Sequence, residues 1–238
     1  MTYDWDSYGK ERLLSRNKLL LPHHRRAHEI LLDGLAAIDT TTPVLDIGCG
    51  DGFYLEMLRG LGFTESVGID PSPSQVDKAR SKNLAVSAGR IEDLDDVHHP
   101  LRQTQYGVIL LWDLLEHLEH PEHALTLVHD MLLPGGTVFI NTVVCDSVYN
   151  RIQRFFRRGD RLAQSKAIDP SHIQPLTRNR VRTMLRNADL RVRVCRRIGN
   201  RWPLLSKWGW RGGSRVTMFG VFGDMLTVVC QRRSLSEA

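Results

Sequence analysis

The sequence predicts an α/β fold on a mostly parallel sheet, and three observations predict it. Short apolar runs alternate with segments of helical period, the order that lays strands side by side with helices across them. The first clear run, Pro43 to Ile47, breaks at once into a turn with glycine at every second position, Gly48, Gly50 and Gly52. The next run, Val67 to Asp70, ends on a carboxylate. A glycine turn and a terminal acid at the carboxyl edge of parallel strands make a nucleotide-type cofactor site.

The elements follow in order. After the glycine turn, Phe53 to Arg59 has helical spacing, so its first amide groups point at whatever the turn holds. Gln105 to Trp112 is apolar and reads as a further strand. Pro121 suits the first turn of a helix, where its missing amide costs nothing. Ala124, Leu125, Val128, Met131 and Leu132 continue that helix at the right period. Between Arg191 and Arg201, arginines alternate with Val192 and Val194, which reads as an edge strand with one solvated face.

Spacing selects the cofactor. A dinucleotide fingerprint needs a third glycine at position 53, which is Phe53, and Asp46 lies two residues before the first glycine. A carboxylate there is poorly placed beside a pyrophosphate and well placed beside an ammonium group. S-adenosylmethionine (SAM) carries an ammonium, a sulfonium and a ribose, and no phosphate. The segment Val44-Leu-Asp-Ile-Gly-Cys-Gly-Asp-Gly52 thus resembles the first motif, D/E-x-G-x-G-x-G, of the class I SAM-dependent methyltransferases. Further resemblance lies in Asp113-Leu-Leu-Glu-His-Leu-Glu-His-Pro121, similar to a stretch common in small-molecule enzymes of type 11/12. It lies also in the turn Leu133-Pro-Gly-Gly136 before a strand Thr137 to Val143. Ser171 to Thr177, the helix Arg178 to Ala188 and the strand Asp224 to Cys230 look like the family's last elements.

The resemblance implies a Rossmann-like seven-stranded sheet, mostly parallel with its last strand antiparallel, and helices on both faces. It implies cofactor contacts from Asp46, Gly48, Cys49, Gly50 and Gly52 near the methionine part, and from Asp70 and Pro71 at the ribose. The loop Gly89 to Leu94 would wrap the adenine through Ile91, Glu92 and Asp93; Arg90 stands where the family often has an acid, and arginine cannot accept a hydrogen bond. Trp112 would lie near the methyl group. Tyr3, Trp5 and Tyr8 would fold over the cofactor.

Methyl transfer needs alignment, exclusion of water and removal of a proton, but no covalent intermediate. His117 and His172 are the candidate bases, because histidine titrates near neutral pH; each also has a structural reading. Asp113, Glu116, His117 and His172 partly match the Mg²⁺-binding motif of methyltransferases acting on RNA 3′ ends, a minority alternative; no metal ligand is assigned outright. The loop signatures of base-amino and cytosine-C5 enzymes do not occur at Trp112–Leu115 or elsewhere.

With 238 residues and 42% apolar content, one domain is expected: an N-terminal cap (1–40), a SAM-binding half (41–145) and a substrate-side half (146–238). No run approaches the ~20 apolar residues of a membrane span, and the four scattered cysteines fit a reducing cytoplasm. Charge is uneven. Residues 1–150 hold 12 Lys/Arg against 22 Asp/Glu, and residues 151–238 hold 20 against 5. The basic half therefore points to a small, anionic acceptor; the stretch 149–161 could also lie on an anionic membrane, and nucleic acid is not favoured. The aromatic insert 199–223 is expected to pack over the sheet end, close a pocket or meet a second subunit. The reading is methyl transfer to a hydroxyl, or less readily an amine, of a metabolite, lipid precursor or glycan. RNA methylation and a non-catalytic SAM- or S-adenosylhomocysteine-binding partner protein are the alternatives.

Overall fold

A computed structural model describes residues 22–147, 161–166, 169–198 and 224–233. The basic stretch up to residue 160, the insert 199–223 and Tyr3, Trp5 and Tyr8 lie outside them. The elements run α1 (Pro22–Leu35), β1 (Val44–Ile47), α2 (Phe53–Gly60), β2 (Ser66–Asp70), α3 (Pro73–Ser81), β3 (Ala85–Ala88), β4 (Tyr106–Trp112), α4 (Pro121–Met131), β5 (Leu132–Val143), α5 (Arg161–Lys166), α6 (Arg178–Asn187), β6 (Leu190–Ile198) and β7 (Met225–Arg232). Short 3₁₀ turns occupy Ile91–Asp95, Pro100–Gln103 and Leu115–His117.

The seven strands lie in the order β3-β2-β1-β4-β5-β7-β6. The first five are parallel, and β7 runs antiparallel to both β5 and β6. This is the expected sheet, with its final antiparallel hairpin. Every residue of β1 is buried, as are six of the seven in β4, the pattern of strands covered on both faces.

Alternate residues feed two cores. Leu45, Ile47, Ile109, Leu111 and Ile140 pack with Leu125 and Val128 of α4 and Val181 and Leu185 of α6. Val44, Val108, Leu110, Trp112 and Phe139 pack on the other face with Ala27, Leu31 and Leu35 of α1 and Leu55 and Leu58 of α2. Strand order reverses beside β1, between β2 and β4, which opens a crevice at the carboxyl ends of β1 and β4.

α1 lies close against the sheet at Gly34, where an added Cβ would overlap the Phe139 ring. Phe139 is fully buried and has no room to turn away. Gly34→Ala should therefore destabilise the protein by ~1–3 kcal/mol despite alanine's better helix propensity, read as a lower melting temperature.

Two expectations need correction. The ladder of β5 begins before Thr137, because Leu132 pairs with Tyr106 and the register then slips across the Pro-Gly-Gly turn. β6 does form the sheet edge, but Val192 and Val194 do not share a face. A register irregularity lies between them, so Val192 packs into one core and Val194 into the other.

Candidate functional site

The glycine turn leaves β1 where the sequence places it. Gly48, Gly50 and Gly52 have φ of 77°, 55° and 80°, a region that side chains with a Cβ enter at a cost. Gly48 N–H donates to the Ile69 carbonyl at 2.8 Å, stitching the turn to the end of β2. Asp70 completes the stitch: its Oδ2 accepts Gly50 N–H at 2.8 Å and its Oδ1 accepts Ser72 N–H at 2.9 Å. Both carboxylate oxygens thus hold backbone while the group stays at the rim, buried but not sealed (9% exposed).

Asp46 is different. It is buried on β1 with 1% exposure, and neither carboxylate oxygen has a hydrogen-bond partner among the described residues. Burial, and then the charge of Asp70, pushes its pKa up to about 8. A buried carboxylate without a donor is incomplete, and an ammonium is the group that completes it. The donor set therefore fits a cationic amino-acid moiety.

Other expected cofactor residues divide. The Cys49 side chain packs inward, with its Sγ under Gly68, where any Cβ would sit only 2.6 Å from the sulfur. Burial, and then Asp46 and Asp70, raises its thiol pKa far above neutrality, so only its backbone can serve a ligand. Pro71 follows Asp70 at the rim and is half-buried. Ile91 sits in the core with Leu94. Asp93, though exposed, turns back on its own loop, where Oδ2 accepts Arg90 N–H at 2.7 Å, and Glu92 is exposed beside it.

Trp112 closes the carboxyl end of β4 within an aromatic group that the sequence did not announce. Its ring centroid is 4.9 Å from Tyr54 and 5.4 Å from His28. His28 Nε2 lies 2.9 Å from the Tyr54 hydroxyl. Tyr54 comes from the first turn of α2, just past the glycine turn, and His28 from α1. The readable signal was the Ala27–Leu31–Leu35 spacing, which marks α1 as packed and sets His28 beside its buried stripe.

Beyond β4 the backbone takes a left-handed step at Asp113 (φ 51°), whose Oδ1 accepts Asn141 Nδ2 at 2.8 Å. Glu116 then turns fully inside. Its Oε2 accepts the Thr142 hydroxyl at 2.6 Å and its Oε1 the Val143 amide at 3.2 Å. Burial, then Asp113, pushes Glu116 up to about 8. The Ile173 and Gln174 amides donate to the Glu116 carbonyl, which draws the 171–174 segment over this turn.

That segment brings the two candidate bases together. The rings of His117 and His172 lie 4.9 Å apart, both nearly sealed from solvent. The Ser171 hydroxyl lies 3.0 Å from His117 Nδ1 and donates to Asp169 Oδ1. Burial raises the Asp169 carboxyl, but the Ser171 hydrogen bonds, His172 and His117 outweigh it and leave the pKa lowered. One ligand atom each from Glu116, His117 and His172 lies within 4.8 Å of the others, a spacing that could hold a metal ion. Asp113, the fourth residue of the partial motif, is not part of that group. Two imidazoles and one carboxylate suit a transition metal such as Zn²⁺ or Fe²⁺ better than Mg²⁺, which prefers oxygen ligands.

Known proteins bear on this geometry. The profile of a family described as a methyltransferase domain matches residues 17–193. A ubiquinone biosynthesis O-methyltransferase of Shewanella pealeana is 32% identical over 102 residues, covering 42% of this chain and 43% of that protein. The enzyme of the same name from Serratia proteamaculans is 28% identical over 141 residues, 58% of this chain and 55% of its own. The chain thus spans about half the length of the curated relatives it matches. Among solved structures, the complex of a Haloferax volcanii methyltransferase with the activator Trm112 superposes with a TM-score of 0.67 at 18% identity, covering 98% of this chain and 100% of that one. A SAM-dependent methyltransferase of Archaeoglobus fulgidus gives 0.64 at 19%, covering 92% and 99%. Magnesium protoporphyrin IX methyltransferase from Synechocystis, solved with bound S-adenosylhomocysteine, gives 0.61 at 13%, covering 89% and 84%. At these identities the structures speak to the fold.

Proposed function

Because this chain belongs to the methyltransferase-domain family, we propose that it uses SAM to methylate a hydroxyl group, or less readily an amine, of a small metabolite or lipid precursor. The observation that carries the reading is Asp46, a sealed carboxylate beside a glycine turn, without a donor among the described residues. In this reading Asp46 receives the cofactor's ammonium, Asp70 its ribose diol, and the peptides of Gly48 to Gly52 pass close along its methionine part. SAM supplies a methyl group on a positive sulfur, which leaves as a neutral thioether. Trp112, Tyr54 and His28 wall the methyl end and keep water from it. The relatives' name makes hydroxyls of quinone precursors the first acceptors to test.

The cluster of Glu116, His117 and His172 supports a second, compatible reading, in which a bound divalent metal orients the acceptor oxygen. Glu116, His117 and His172 would hold such an ion, and it would supply Lewis acidity to an acceptor oxygen.

One experiment tests both readings: titration calorimetry with SAM and S-adenosylhomocysteine, followed by transfer of labelled methyl to hydroxylated quinone precursors with and without EDTA. Micromolar binding and label on oxygen are expected. Activity lost to EDTA and restored by one metal supports the cluster, and activity indifferent to EDTA assigns it to structure. A folded protein that binds neither molecule overturns the SAM reading.

A further inference from the structure

We propose that Lys82 is a positioning residue that holds the cofactor turn from outside the site; the inference rests on the SAM reading above. Lys82 follows the last residue of α3. Its Nζ donates to the Asp51 carbonyl at 2.7 Å and to Glu56 Oε2 at 2.8 Å, with Asp51 Oδ2 at 3.2 Å. Its own carbonyl accepts Arg59 Nη1 at 3.0 Å, so this corner of the chain is tied to α2 at both of its ends.

Asp51 stands between two left-handed glycines, Gly50 and Gly52. Such a stretch has little steric reason to keep one conformation, because glycine populates both signs of φ. Hydrogen bonds supply the reason instead. Gly50 N–H is held by Asp70 on the inner side. The peptide joining Asp51 to Gly52 is held at both ends: Gly52 N–H donates to the Cys49 carbonyl at 3.0 Å, and the Asp51 carbonyl accepts from Lys82.

Without Lys82 that carbonyl loses the Nζ hydrogen bond, and the peptide is less firmly held in the form that admits the cofactor. Binding must then order it again, which lowers affinity without touching the chemistry. The same corner also sets the steric limit of the turn. Leu84, two residues on, lies 2.3 Å from where a Cβ on Gly52 would stand. The ammonium has a further role. Asp46, Asp51, Glu56 and Asp70 crowd acidic groups around one turn, and Lys82, with its side chain 22% exposed, pairs with two of them. Among the described residues Lys82 meets the turn at Asp51, through its carbonyl and its carboxylate, so its influence on the cofactor passes through that residue.

The test uses K82M, K82R and E56Q in the intact chain, with melting temperatures, calorimetry for SAM and S-adenosylhomocysteine, and steady-state kinetics. K82M should raise both the Kd and the KM for SAM roughly five- to thirty-fold, with kcat at saturating SAM within about two-fold of wild type. K82R, which keeps charge and donors, should recover most of the affinity. E56Q leaves the bond to Asp51 intact and should stay within about three-fold of wild type. Folded K82M that binds SAM as the wild type does overturns the proposal, as does a loss confined to kcat. Should K82M not fold, K82Q carries the same test, since it keeps a donor of shorter reach: weaker SAM binding at unchanged kcat supports the strut, and wild-type affinity overturns it. Failure of the wild-type protein to bind either molecule would instead strike the SAM reading, before any substitution is made.

Discussion

Replacing Asp70 with alanine is expected to weaken SAM binding by two orders of magnitude or more. In the proposed complex its carboxylate accepts two ribose hydroxyls while it still holds Gly50 N–H and Ser72 N–H. Each hydrogen bond to a charged acceptor contributes ~1.5–3 kcal/mol, and ~1.4 kcal/mol is a factor of ten in affinity. Alanine removes the ligand contacts and also frees the turn, so the two losses act together. Asp70→Asn separates them, because its amide oxygen can still accept one backbone amide while the charge is gone. Calorimetry on both variants, with melting curves to confirm folding, checks the claim. Retained micromolar binding in Asp70→Ala would remove Asp70 from the site.

The second large effect is one of pH. Asp46 has a folded-state pKa of about 8 against an ordinary 3.8, so between those values the native state holds a proton that the unfolded chain has released. Stability therefore falls as pH rises through this window: the contribution is complete below pH ~4 and lost as pH passes ~8. An amide in place of this carboxyl does not titrate. The Asp46→Asn variant should match the wild type at or below about pH 4 and become progressively more stable than it as pH rises to about 8. With ~1.4 kcal/mol per pKa unit the gap is on the order of 5 kcal/mol, or roughly 10–20 °C in melting temperature. Glu116, also pushed up to about 8, gives the wild type a slope of the same sign, but it is present in both proteins and cancels in the difference. The same substitution should abolish SAM binding, because a neutral amide does not replace a carboxylate opposite an ammonium. A melting-temperature gap that stays flat with pH would place Asp46 in contact with water or a donor, contrary to its burial. In the wild type, SAM binding near pH 7 should release a proton as Asp46 ionises. Calorimetry in buffers of different ionisation enthalpy would register it.

What could be read from the sequence was local. The turn from Asp46 to Gly52 and the acid at Asp70 carry their chemistry in a few adjacent residues, and the backbone has few ways to satisfy that pattern. The near-continuous apolar run of β4 fixed a central strand for the same reason. What escaped depends on residues far apart in the chain. His28 meets Tyr54 across 26 positions, and Glu116 finds Thr142 across a similar gap; neither pairing leaves a trace in spacing. Asp93 and Glu92 were equal candidates until one turned back to cap its own loop. The alternation of Arg191, Val192, Arg193 and Val194 implied a clean edge strand because a single inserted residue leaves composition unchanged while flipping everything after it.

The place of β7 has a consequence in time. Of the seven strands in the described residues it is the last to be synthesised, yet it lies between β5 and β6, and its ladder covers β5 from Thr137 to Val143. At roughly 5–20 residues per second, the ~80 residues between the end of β5 and β7 take several seconds to emerge from a ribosome. During those seconds Val138, Phe139 and Ile140 lie on an open edge, unpaired on the side that β7 will cover, in a sequence that favours pairing with any strand at hand. The nascent chain is most prone to aggregate in that interval, and a folding helper would be of most use to it there. A substitution that slows the arrival or docking of β7 would lower the yield of protein without altering the folded form.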